Sequence, residues 1–291
     1  MLKILNFTEK LYLKIKSVWE TARMHKIISN SLVAIFLGSL VLFLLVHNQI
    51  LPQKGILEAF GNPFFSIDIS FTALLLTEII SLIFVLPKSV AKSVAKQFEL
   101  LSLIFLRHGF QEFSQVHSMD LHDVLAPVEY MFLYGFVSLL IYLIIGVVYK
   151  NQRHVWICST DLEQHNFVRF KRAISLLLLV AFIVIVFLDF KSLFKSGIYN
   201  SSFHEFFTML IFSDILVLLI TIRYTLNYRT IYRYSAFILA TIFIRIALTS
   251  AVYYDVIIGL SGAVYLLLLV LTYNYFEKAK EKENKLKLKN K

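Results

Sequence analysis

Four ionisable residues fall where ionised side chains are expensive. Glu78, Arg107, Asp214 and Arg245 each interrupt a long apolar run. An ionised group near a bilayer centre costs roughly 2.5–3.5 kcal/mol on insertion scales, so it needs a partner or a purpose. The partner would be an acid–guanidinium pair tying two helices together; the purpose would be a polar route for an ion or solute. At about 1.5 Å per helical residue, Glu78, ten positions before Lys88, lies about 15 Å from that end of its helix. Arg107 is eleven after Lys96, Asp214 nine before Arg223 and Arg245 twelve after Arg233. All four reach a similar depth by this count, which predicts the pairs Glu78–Arg107 and Asp214–Arg245.

A second constellation is His117-Ser-Met-Asp120-Leu-His122-Asp123, preceded by His108 and Glu112. Imidazoles and carboxylates at this density suit a divalent metal at a protein surface. Loop spacing leaves the ligands unconstrained, so a solvated polar loop is the alternative. The single cysteine, Cys158, excludes a disulfide framework and a Cys-based metal site. Phosphate-cradling Gly-rich loops, a Walker lysine, His-Glu-x-x-His and a Ser elbow are all missing. The expectation is therefore a non-enzyme without a cofactor. A voltage sensor of the multi-Arg type is excluded too, because each helix concerned carries one central Arg.

The elements that must hold these residues follow from composition. The chain has 291 residues, is 58% hydrophobic and only 16% charged, and has 27 Phe and 15 Tyr. Soluble domains carry about 25% charged residues, so the class is all-α and polytopic in a membrane. Apolar runs of span length predict eight transmembrane helices: 27–46, 69–86, 98–113, 130–149, 173–188, 206–222, 234–254 and 256–276. The third is the most polar. The last two are expected as a hairpin joined only by Asp255.

Twenty-four of the 29 Lys and Arg residues fall before the first span, in every second loop, or in the tail. Basic residues stay on the cytoplasmic side, so both termini are expected in the cytoplasm of a bacterial inner membrane. The net charge of +10 is then explained by anionic lipid headgroups rather than by nucleic acid. Residues 1–26 read as a retained amphipathic surface helix, with Ile4, Phe7, Leu11, Ile15, Val18 and Ala22 on one face. Residues 151–172 read as a cytoplasmic linker, and 277–291 as a basic tail extending the last helix. Clustered Tyr near span ends fit aromatic belts.

Sliding the chain by 142 positions lays Gly55-Ile56 on Gly197-Ile198 and Phe64-Phe65-Ser66 on Phe206-Phe207-Thr208. After a four-residue shortening, Leu101–Arg107 falls on Leu239–Arg245. Two four-helix units, 27–150 and 173–276, are expected from this, parallel in the membrane because each has an even number of spans. Within the second unit, Asp214, the basic loop, Thr241-Ile-Phe-Ile-Arg245 and the closing apolar span resemble the phosphate-starvation-inducible E (PsiE) family over 214–276. The resemblance implies a bacterial membrane bundle and brings no mechanism. The functional expectation is an ion or small-solute channel or transporter. The alternative is an accessory or sensory subunit docking partners through its basic face, as a homo-oligomer or in a larger membrane complex.

Overall fold

The computed structural model describes residues 2–51, 60, 65–87, 89–114, 121–151, 161–196, 203–224 and 227–289. Among the described residues every regular element is a helix: α1 Leu2–Trp19, α2 Ala22–His47, α3 Phe65–Val85, α4 Val90–Ser114, α5 Leu121–Asn151, α6 Asp161–Ser196, α7 Phe203–Tyr224, α8 Tyr228–Ala247 and α9 Tyr254–Lys289. Seven of them, α2, α3 and α5–α9, contain stretches long and apolar enough to cross a bilayer. The chain is a helical membrane protein.

Local chemistry sets the boundaries. Thr21 caps α2, its hydroxyl accepting from the Met24 amide at 3.3 Å, and so separates α2 from α1. Asn227 caps α8 in the same way through the Arg229 amide at 3.1 Å. Pro87 follows the end of α3 and disfavours helical backbone at Leu86.

Helices adjacent in sequence pack as neighbours from α2 to α5 and again from α6 to α9. The two groups meet through α4 on α8 and α9, α5 on α9, and α3 on α6. Helix α4 touches α3, α5, α8 and α9 and is the most enclosed helix of the bundle. Its Phe98, Leu101 and Phe105 are fully buried. They lie against Gly259 and Gly262 of α9, where an added Cβ would come within 2.8 Å of Phe105 and Phe243 respectively. Glycine at those two positions lets the helices approach closely, as small residues do between membrane helices.

The expected third span lies in α4, which is more polar than the seven helices counted by length and composition. Two expectations need correction. The last hairpin is not joined by Asp255 alone: α8 ends at Ala247 and α9 starts at Tyr254. The turn, residues 248–253, ends on Tyr253 in the left-handed region at φ 75°. That backbone is held by the Tyr253 hydroxyl on Glu129 at 3.1 Å and by its ring against Tyr130. Asp255 itself is inside α9 and buried. The segment expected as a linker is helical from Asp161 onward, as the start of α6.

The N-terminal helix also docks differently. Its Phe7, Leu11 and Val18 face is exposed. A second face, with Glu9, Tyr12 and Trp19, packs onto α6 and the end of α3. Glu9 accepts from Arg169 Nε at 2.7 Å and from Arg172. Tyr12 donates to the Phe84 carbonyl at 3.1 Å, and the Tyr12 and Trp19 rings lie against Phe84. Burial pushes the Tyr12 phenol up to about 12.

Candidate functional site: the ionisable residues around α4

Polar side chains cluster on α4 at successive levels. Near the end of the bundle that holds α1, Lys96 Nζ lies 2.6 Å from Glu78 Oε2 of α3 and 2.8 Å from Glu99 Oε2. Tyr149 of α5 faces the same Glu99. About eleven residues along α4, roughly 16 Å by helical rise, Arg107 grips Asp68 of α3. Its Nε donates to Oδ1 at 2.6 Å and its Nη2 to Oδ2 at 3.2 Å, while Gln111 donates to Oδ1 at 2.8 Å. A forked guanidinium on a carboxylate is the strong form of this interaction.

The expected pair Glu78–Arg107 is therefore not formed. The reason is hairpin register. Helix α3 ends at Val85 and α4 starts at Val90, so residues equidistant from that turn face each other. Glu78, about ten before the turn, meets Lys96; Asp68, about twenty before, meets Arg107. Measuring Arg107 from Lys96 instead of from the turn misplaces it by about two helical turns. Asp68 also sits in the first turn of α3, where the helix dipole favours a carboxylate.

The expected pair Asp214–Arg245 is not formed either, for the same reason. Around the α7–α8 turn, Arg245 is level with the start of α7, and the acid acting on it is Glu205 in the first turn of that helix. Both central Arg residues thus lie toward the end away from α1, beside acids that open the preceding helix. Asp214 is instead buried, 4% exposed, and meets Gln97 of α4, whose Nε2 donates to Oδ2 at 3.5 Å. Among the described residues no cationic side chain is within ion-pair distance of Asp214.

Of the expected metal cluster, His117 and Asp120 lie outside the described residues, as do the side chains of His122 and Asp123. His108 packs edge-on against Tyr134 of α5, ring centroids 5.4 Å apart. Glu112 is half-buried on α4, and among the described residues no group of three potential ligands forms a metal site.

Sequence reasoning missed three participants. Tyr134 donates to Asp255 Oδ2 at 2.8 Å, joining α5 to α9 deep in the bundle. Gln97, fully buried between Lys96 and Phe98, carried no charge to flag it. Lys171 was counted with the basic loop, yet it is 3% exposed on α6, over the Phe167 ring at 5.2 Å. Its neighbours Arg169 and Arg172 turn the other way, to Glu9. A basic residue just outside an apolar run looks the same in sequence whether it snorkels outward or points in.

No protein-family model matches the chain, and no curated protein or solved structure is significantly similar to it.

Proposed function

We propose that the protein moves an ion or small solute across a bacterial inner membrane, along the ionisable residues that α4 holds inside the bundle. The observation that carries this reading is the position of α4. The helix least suited to lipid is the one surrounded by α3, α5, α8 and α9, with charge at two depths. A helix in that place needed only for packing would be served better by apolar residues, since a buried ion pair is seldom worth more than the hydrophobic contacts it displaces.

In this reading α4 is the eighth span. Its 25 residues cover about 37 Å, enough for the bilayer core, and its charges are shielded from lipid by its neighbours. The basic loops fall on one side of such an eight-span chain, with both termini cytoplasmic. The end of the bundle holding α1 is then the inner end, where anionic headgroups meet the exposed Phe7, Leu11 and Val18 face of α1. Units 27–150 and 173–276 form a parallel repeat. Its support is the neighbour-to-neighbour packing in each half and the meeting of third helix with third and fourth with fourth. The resemblance to the PsiE family over 214–276 fits the setting.

The test is twofold. In a Cys158→Ser background, single cysteines at 92 and 229 should react with an impermeant thiol reagent only after the membrane is opened, and a cysteine at 118 should react from outside. Purified full-length protein in liposomes should pass protons, Na⁺, K⁺ or Cl⁻ above empty vesicles, and Glu78→Gln or Arg107→Gln should reduce that flux at least tenfold. Wild-type liposomes indistinguishable from empty ones across this panel would end the transport reading.

One observation favours a second reading, an accessory subunit docked to other membrane helices. Only Ser39 and Val46 of α2 are buried, whereas Val33, Leu37, Val41 and Leu44 are exposed. A partner that crosslinks to photoreactive residues at 33, 37 and 41 in native membranes, together with absent flux, would support it.

A further inference from the structure

Helices α3, α4, α8, α7 and α6 pack in a closed cycle, and the residues inside it differ in kind from the paired charges on its wall. Asp214 reaches inward from α7 to Gln97 of α4. One helical turn along the same α4 face is Ser93, 1% exposed, whose hydroxyl has no hydrogen-bond partner among the described residues. Ser175 of α6 donates to the Ile83 carbonyl of α3, which places it level with Ser93 by the α3–α4 register. Thr221 lies two turns beyond Asp214 on α7, fully buried, its hydroxyl on the Val217 carbonyl. A further turn below Ser175, on the same α6 face, is buried Lys171. Counted along the bundle axis, Lys171 and Asp214 differ in level by about eight residues of rise, roughly 12 Å, and Ser93 and Thr221 fall at levels between them, while Ser175 faces Tyr12 of α1.

We propose that Asp214 binds a proton that enters and leaves from the α1 end of the bundle, past Lys171 and Ser93. This rests on the transport reading for its purpose and names the species coupled to it.

The partner decides the chemistry. Asp68 and Glu78 face guanidinium and ammonium groups, which only donate and so pair only with carboxylate lone pairs. Gln97 offers an amide, which donates through NH₂ to an ionised Asp214 and accepts through its carbonyl from a protonated one. One side chain thus satisfies both states after an amide rotation. A metal ion would not be satisfied here, since hard cations take about six oxygen ligands. Around Asp214 the hydrogen bonds among the described residues supply its own carboxylate and one amide. Several charges of the surrounding helices are engaged elsewhere. Glu78 and Glu99 are on Lys96, and Arg233 of α8 stacks on Phe237 and Tyr273. Arg245 lies at the far end beside Glu205. Lys171, with no carboxylate in ion-pair distance among the described residues, is the one basic group on the route. The step is a bare proton transfer: a proton from solvent passes along Lys171 and Ser93 to a carboxylate oxygen of Asp214, and returns by the same groups or leaves toward the opposite face.

Two measurements on the full chain in liposomes test this. Difference infrared spectra between acidic and alkaline buffer should contain the carbonyl stretch of a protonated carboxyl. That band should be lost in Asp214→Asn, retained in Asp214→Glu, and shifted in Gln97→Leu. Under a valinomycin-clamped K⁺ gradient, a pH-sensitive dye should show proton uptake that Asp214→Asn abolishes and Lys171→Met slows at least tenfold. If Asp214→Asn leaves the wild-type infrared difference unchanged, Asp214 exchanges no proton and the proposal is overturned, whatever the flux. If the band titrates as described while no ion moves in wild-type liposomes, the proton site stands and only the transport reading falls. Uptake unaffected by Lys171→Met overturns the route.

Discussion

Removing the Asp68 carboxylate should hurt Arg107, and removing Glu78 should not. Asp68 accepts two bonds from Arg107 and one from Gln111, at 2.6, 3.2 and 2.8 Å. Hydrogen bonds to charged groups contribute about 1.5–3 kcal/mol each in soluble proteins. Measured couplings between membrane helices average about 0.6 and reach about 1.7 kcal/mol. The two side chains are 23% and 12% exposed, so solvent screens them in part, and a coupling of about 1–2 kcal/mol is expected between Asp68→Asn and Arg107→Gln. Glu78 is level with Lys96, roughly 16 Å along the hairpin from Arg107. Coulomb's law at an effective dielectric of 20 gives at most about 1 kcal/mol across that gap, and sites beyond about 10 Å usually behave additively. The two double-mutant cycles, 68/107 and 78/107, can be run by SDS unfolding of the full chain in mixed micelles, followed by circular dichroism. A Glu78–Arg107 coupling equal to or larger than the Asp68–Arg107 coupling would refute the hairpin register and restore the mid-membrane pair.

Other outcomes follow from single contacts. Glu9→Gln loses the charge that holds Arg169 and Arg172. It should weaken α1 docking by about 1–3 kcal/mol, read as faster proteolysis after residue 20. Tyr12, raised from near 10 to about 12, contributes docking stability that is complete below pH 10 and lost as pH rises toward 12. Trp19 fluorescence in a Trp156→Phe background should therefore report α1 release in that window, and Tyr12→Phe should remove the transition. Gly262→Ala puts a methyl 2.8 Å from Phe243 Cβ, an atom close to the backbone that cannot swing aside, whereas Gly259→Ala meets side-chain ends, the far edge of the Phe105 ring at 2.8 Å and a Leu101 methyl at 3.2 Å. The first should cost about 1–3 kcal/mol and the second less, compared by thermal unfolding in one detergent.

Much of this was legible from hydropathy, and the misses have two causes, depth counted from the wrong origin and side-chain direction. The apolar spans of seven helices stand in the sequence as long hydrophobic runs because lipid demands them. Depth was also readable, but only relative to the right origin. Pro87 marks the α3–α4 turn, and counting outward from it reaches both Glu78–Lys96 and Asp68–Arg107. Counting from the nearest basic residue does not, because Lys96 is itself a partner inside the hairpin. Asn227 would have served equally for Arg245. Side-chain direction was not readable. Lys171 and Arg172 are adjacent and chemically alike, yet one is buried on Phe167 and the other holds Glu9. Only the rotation of α6 against α1 and α3 decides between them.

Helix α4 shows why hydropathy alone under-reads such a bundle. Window methods ask whether a segment tolerates lipid on all sides, and α4 meets no such demand: its neighbours are α3, α5, α8 and α9. Enclosure permits polarity, and polarity in turn requires enclosure, since Lys96, Glu99, Arg107 and Gln111 turned to lipid would each be penalised. The glycines of α9 belong to the same logic. Gly259 and Gly262 bring α9 close enough to seat Phe98 and Phe105 on the far side of α4, leaving the near side to the ion pairs. Gln97 then lies between these faces, donating to Asp214, a buried carboxylate with no cation in ion-pair distance among the described residues. Charge on the wall of the five-helix cycle is met by donors of opposite charge, while the carboxylate inside is given a neutral amide that can pair with either state. A bundle built only to stand in a membrane has no need of that distinction; a path for protons does.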